Sequence, residues 1–196
     1  IEAKINWAAG DLGYILHKWW ESGLGLQVIG PNASYYSLNN NSLCLWVNNY
    51  EEGWVSYNTP YNSIQLNEWQ HVAATYENGV VNLYIDGVAQ VVVVSLDVAN
   101  GLLADHSDVS LAIGGHNMTG NEALFFNGHI DEVSLWSQAL SESEIQSYMT
   151  SSPTGNEEGL VGYWNFNQNV NDQSGNGNDA TIHGDPVYST DVPFIY

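Results

Sequence analysis

Between Asn67 and Gln90 the chain reads NEWQHVAATYENGVVNLYIDGVAQ, in which apolar-rich runs are separated by Asn78-Gly79 and Asp86-Gly87. Both dipeptides reach positive φ easily, as a two-residue hairpin turn of the primed type requires. The pattern predicts three successive strands, Gln70 to Tyr76, Val80 to Ile85 and Val88 to Val94, forming an antiparallel meander. In the middle one Val81, Leu83 and Ile85 share one face and Val80, Asn82 and Tyr84 the other, the period of two expected of a strand.

The same reading extends along the chain. Ile1, Ala3 and Ile5 alternate with Glu2, Lys4 and Asn6, a half-buried strand. Strands are expected at Gly13 to Trp19, Leu24 to Ile29, Leu43 to Val47, Trp54 to Tyr57 and Val109 to Ile113. Farther on, Ile130, Glu132, Ser134 and Trp136 fall on one strand face, with Asp131, Val133 and Leu135 on the other. One helix stands out, over Glu142 to Tyr148. Ser141 can cap it, Glu144 is the capping-box partner, and Leu140 and Ile145 suit a hydrophobic staple. Short strands with recurrent turn signals and almost no other helical patterning indicate an all-β sandwich.

Composition narrows the partners. The chain has 196 residues, enough for one all-β domain, and carries 22 Asp and Glu against two cations, for a formal charge of -20. Those cations are Lys4 and Lys18, and there is no arginine. This argues against nucleic acid or anionic lipid, whose phosphates need Lys and Arg. It suits divalent cations, or a solvated acidic surface. No apolar run approaches the ~18 residues of a membrane span, so membrane insertion is not expected. Cys44 is the single cysteine and excludes an internal disulfide; in Leu43 to Val47 it reads as a small buried hydrophobe.

Aromatics crowd the first third of the chain, 11 of 24 lying in residues 1–66. A pyranose ring offers an apolar C–H face to an aromatic plane, while Asn, Asp and Glu bond its hydroxyls. Loop aromatics are therefore the candidate ligand-binding residues: Trp20, Tyr35, Tyr36, Tyr50, Trp54 and Tyr61, beside Asn39-Asn40-Asn41. Core packing is the competing role for such residues. The other chemical signal is Asp172 to Asp179, DQSGNGND, dense in oxygen donors of the kind Ca²⁺ takes. Its first half imitates an EF-hand loop, but the twelfth position is His183 rather than a bidentate Glu. Asp131-Glu132 and Glu51-Glu52 are adjacent pairs, which in a strand point to opposite faces and cannot act across one bond. His71 reads as a hydrogen-bonded strand histidine rather than a general base.

Three runs carry a family resemblance. WQHVAATYENGVVNLYIDG resembles the core signature of LamG-like jelly-roll domains, in the concanavalin A-like lectin/glucanase superfamily. FNGHIDEVSLWSQALSESEIQSY resembles that family's closing signature, and GLVGYWNFNQNVNDQSGNGNDATIHG its opening segment. The opening segment comes last here, so the resemblance implies one LamG-like jelly-roll domain over 1–196 with that segment placed C-terminally, at 159–196. It is expected to fold back onto Ile1 to Trp7.

The resemblance implies a fold of two antiparallel sheets and one short helix. It also implies a structural calcium ion held by Asp131, Asp172, Gly175 and Asn178. The implied function is a non-catalytic binding or adhesion module of a larger, multidomain, extracellular or cell-surface bacterial protein, taking a glycan or an extracellular protein. The alternative is a glycan-cleaving enzyme, a glycoside hydrolase or polysaccharide lyase, on the same fold. Superfamily glucanases place carboxylates on alternate positions of one strand, and no such spacing occurs here.

Overall fold

The structure is a computed structural model that describes residues 1–18, 23–31, 41–49, 53–94, 110–115 and 125–193. In chain order the first strands are β1 (Glu2–Trp7), β2 (Leu12–Lys18), β3 (Leu24–Ile29), β4 (Ser42–Asn49), β5 (Gly53–Asn58) and β6 (Trp69–Glu77). There follow β7 (Val80–Ile85), β8 (Val88–Ala89), β9 (Val93–Val94), β10 (Leu111–Ile113) and β11 (Gly128–Trp136). The helix α1 (Glu142–Thr150) and the strand β12 (Leu160–Trp164) complete the described elements. The strands form two six-stranded sheets, in the orders β12-β11-β1-β6-β7-β8 and β10-β2-β3-β4-β5-β9. Neighbouring strands are antiparallel, and the architecture is a jelly-roll β-sandwich.

The core lies between the sheets. Ala3, Ile5 and Trp7 of β1, Val72 of β6 and Leu83 of β7 meet Leu26, Val28, Leu43 and Leu45 from the second sheet. Trp7 is fully buried and packs on Phe126 with ring centroids 4.9 Å apart. Gly13 makes room for it, since a Cβ there would come within 2.3 Å of the indole.

Both tight turns expected in the meander are present, with Asn78 and Gly79 at φ 50° and 84° and Asp86 and Gly87 at 49° and 71°. The third strand of the meander differs from expectation. Val88–Ala89 pairs with β7 in the first sheet, whereas Val93–Val94 pairs with β5 in the second. The chain thus changes sheets at Gln90 to Val92, a move that period-two patterning cannot register. In β1 all six residues are buried, not alternate ones, with Glu2 at 3% and Lys4 at 4% exposure.

β11 departs from strict alternation. Glu2 pairs with Ser134 but Lys4 with Asp131, so β11 has one residue more than β1 over this stretch. Glu132 is in the left-handed region, φ 51°, and the strand bulges there. Ile130 and Val133 consequently pack into the inter-sheet core, while Trp136 joins a second apolar cluster on the sheet's other side. Strict alternation had put Ile130 and Trp136 together.

That second cluster is built where α1 packs on the first sheet: Ile145 and Leu140 meet Ala73, Tyr84, Trp136, Leu160 and Tyr163. Ser141 and Glu144 form the expected capping box. The C-terminal strand β12 joins the sheet beside β11, which separates it from β1, rather than lying directly on Ile1 to Trp7. Removing the cap by Ser141→Ala should lower unfolding stability by about 1 kcal/mol, a typical capping contribution, read from the urea midpoint at unchanged m-value.

Candidate functional site

The side of the second sheet that faces away from the first is lined by buried aromatic and amide groups. Cross-strand register sets Tyr14, Gln27, Cys44 and Asn58 in one row and His17, Gly25, Trp46 and Ser56 in the next. An extra residue in β2, between Tyr14 and Leu16, lets Ile15 and Leu16 both enter the core and brings His17 onto the same face as Tyr14. The His17 ring lies 4.7 Å from that of Tyr14 and 5.2 Å from that of Trp46. Trp46 donates its indole N–H to Gln27 Oε1 at 3.2 Å. Its ring rests on Gly25, where a Cβ would meet Nε1 at 2.6 Å. Backbone and side chain together fix the plane of this indole.

Asn58 donates Nδ2 to Ser56 Oγ at 3.2 Å, and its buried Oδ1 has no hydrogen-bond partner among the described residues. Burial pushes the Cys44 thiol up to about 12, with a Gln27 hydrogen bond opposing, so it is an inert packing group. The described strands of this sheet contain no Asp or Glu.

Of the aromatic sequence candidates, Trp54 and Tyr61 fall on described residues. Trp20 lies between β2 and β3 in sequence, Tyr35 and Tyr36 between β3 and β4, and Tyr50 between β4 and β5; these four lie outside the described residues. Trp54 belongs to β5, in register with Asn48. Tyr61 follows β5 and is 61% exposed. Tyr14, His17, Gln27, Trp46 and Asn58 escaped the sequence reading. Their common face follows from the β2 bulge and from four-strand register, neither of which is local in sequence.

The helix side of the first sheet carries a charged cluster. His71 Nε2 lies 3.4 Å from Glu2 Oε1, and the His71 backbone N–H donates to Asp86 Oδ1 at 2.9 Å. The buried Lys4 Nζ and His71 Nδ1 have no hydrogen-bond partner among the described residues. Asp131 stands opposite Lys4 in register and accepts the Glu132 N–H at 3.0 Å. Burial first, and the neighbouring Glu132 second, push its carboxyl up to about 6, against the Glu132 N–H and Lys4. Glu132 Oε2 accepts the hydroxyls of Tyr163 and Ser152. Because of the bulge, Asp131 and Glu132 do not diverge to opposite sides of the sheet as adjacent strand residues would.

Asp172, Gly175 and Asn178 do come together in one loop. Asp172 Oδ1 accepts N–H groups of Tyr163 at 3.0 Å and Ser174 at 2.8 Å. Its Oδ2 accepts Ser174 Oγ at 2.8 Å and the Asn178 N–H at 2.9 Å. Burial raises this carboxyl, but those donated bonds outweigh it and hold it below the usual range. Asn178 Nδ2 donates to Val161 O, and its own carbonyl accepts Trp164 Nε1. Gly175 and Gly177, at φ 75° and 77°, supply the left-handed backbone of the loop. A carboxylate has about four acceptor positions, and all those of Asp172 are taken. Among the described residues no group of three or more His, Cys, Asp or Glu could hold a metal ion. Asp172, Gly175 and Asn178 thus share one loop, while Asp131 stands at the β11 bulge opposite Lys4.

The chain belongs to the concanavalin A-like lectin/glucanases superfamily, whose laminin G profile matches residues 16–146. Mouse pappalysin-1 is 33% identical over 84 residues, 42% of this chain and 5% of pappalysin-1. A candidate carbohydrate binding protein from Bacteroides ovatus superposes with a TM-score of 0.65 at 23% identity. That alignment covers 84% of this chain and 44% of the other, and at this identity it speaks to the fold. The chain therefore spans less than half the length of either relative.

The Asp131 carboxyl gives a pH signature. Its folded pKa lies above the unfolded value, so the folded state binds more protons between about pH 4 and 6 and loses stability as pH rises through that window. Asp131→Asn should remove this decline. Melting temperatures in EDTA across pH 4 to 7 should show the variant gaining on the wild type as pH increases.

Proposed function

We propose that the chain is a non-catalytic carbohydrate-binding module of a larger extracellular protein. In this reading, the glycan is taken on the outward side of the second sheet. The observation that carries it is the chemistry of that face: an indole of fixed plane, Trp46, flanked by Tyr14, His17 and the amides of Gln27 and Asn58, on strands without a carboxylate. Aromatic planes take the apolar faces of sugar rings, and a few placed polar groups fix their orientation. A hydrolase on this face would need two carboxylates spaced across a glycosidic bond. Membership of a superfamily that holds both lectins and glucanases fits either class, since a shared fold does not fix the chemistry.

In this arrangement the buried row positions rather than encloses the ligand. Tyr14, Gln27 and Trp46 are each less than a tenth exposed, and Tyr61, at 61%, is the exposed aromatic among the described candidates. Among the described residues no helix is long and apolar enough to cross a membrane. The charge of -20 disfavours polyanionic ligands and makes neutral glycans the expected class.

A glycan array probed with the chain should return neutral polysaccharide hits. Trp46→Ala and Gly25→Ala should each weaken the best hit roughly tenfold or more, about 1.4 kcal/mol, the second because its new methyl displaces the indole. Equal affinity in both variants would move the site elsewhere. Release of reducing ends or of unsaturated sugars from a bound polysaccharide would establish an enzyme instead.

A further inference from the structure

We propose that the C-terminal segment is fastened to the first sheet by a calcium-independent clasp of two carboxylates, Asp172 and Glu132, that grip Tyr163 from its two ends. Tyr163 lies in β12 opposite Ser134 of β11 and is buried to 3% exposure. Its backbone N–H donates to Asp172 and its hydroxyl to Glu132, so one residue joins the loop after β12 to the bulge of β11.

Both carboxylates are met by neutral donors. Asp172 accepts four, from Tyr163, Ser174 and Asn178, and Glu132 accepts two hydroxyls, from Tyr163 and Ser152. The loop closes on itself as well. Asp179 Oδ1 accepts the Asp172 N–H at 2.9 Å, and the Asn176 amide donates to Leu160 O at 2.9 Å. A Ca²⁺ ion entering at Asp172 would have to displace bonds that the loop already makes, because hard cations compete for the same oxygen lone pairs.

The clasp also accounts for the bulge. A non-glycine residue in the left-handed region carries a conformational cost and persists where the surroundings over-determine it. Glu132 holds φ 51° while its carboxylate is fixed by two hydroxyls, one from β12 and one from the segment after α1.

The test uses the full chain in three forms, wild type, Tyr163→Phe and Asp172→Asn, each melted in millimolar Ca²⁺ and in EDTA. Amide hydrogen exchange of residues 160–164 is followed alongside. The wild type should melt within about 2 °C in the two buffers, the lower end of the shift that losing one typical interaction gives a chain of this size. Tyr163→Phe, which removes only the hydroxyl bond, should melt several degrees lower in both buffers and lose exchange protection in β12. A calcium-induced rise in wild-type melting that Asp172→Asn abolishes would overturn the proposal. So would Tyr163→Phe with unchanged melting and protection. Should Asp172→Asn fail to fold, wild type and Tyr163→Phe still decide the matter. The outcome is independent of glycan binding, which the array measures separately.

Discussion

Twenty-two carboxylates share this chain with two lysines, so a carboxylate folded against the protein has almost no cation to meet and must be satisfied by N–H and O–H groups. That constraint recurs at each place where the fold is fastened. Glu144 accepts the Ser141 N–H and hydroxyl at the start of α1, and Glu157 accepts Thr154 and Gly155 in the turn before β12. Asp86 accepts the His71 N–H where the β7–β8 turn meets β6, and Asp191 accepts the Trp69 indole N–H near the C-terminal end. Asp172 and Glu132 hold Tyr163 between them. Hydrogen bonds to an ionised acceptor are stronger than neutral ones. They are also directional, so each also fixes a turn or a strand end that a point cation would leave freer.

The one buried lysine sharpens the contrast. Lys4 stands in β1 between His71 and Asp131 in cross-strand register, 4% exposed, with Glu2 two residues away. Its buried Nζ has no hydrogen-bond partner among the described residues, and its charge opposes the rise of the Asp131 carboxyl. Asp131 still keeps its proton to about pH 6, because burial and Glu132 outweigh Lys4 there.

The two sheets divide the chemistry. The first carries the charged groups on its helix side and provides the fastenings. The second carries no carboxylate in its described strands, and its outward face is aromatic and amide. In the described strands this division leaves amide, hydroxyl, aromatic and imidazole groups on the outer side of the second sheet and carboxylates on the helix side of the first. The bulge in β2 is what brings His17 to that face, as the bulge in β11 is what brings Asp131 to the side of Lys4.

Local sequence determined much of this molecule by itself. Asn78-Gly79 and Asp86-Gly87 set their hairpins because only residues tolerant of positive φ make such turns. The alternation in Val80 to Ile85 set the buried face of β7, and Ser141 with Glu144 set the start of α1. Tertiary structure alone decided the rest. Nothing in VAQVVVV marks where the chain leaves one sheet for the other, since β8 and β9 find partners far apart in sequence. Neither bulge shows in the strand pattern, because an inserted residue is defined only against the neighbouring strand. Asp172 stands in a donor-rich loop that the sequence shows, with Ser174 and Asn178 near at hand, but the Tyr163 N–H that its Oδ1 also accepts is set there by the fold.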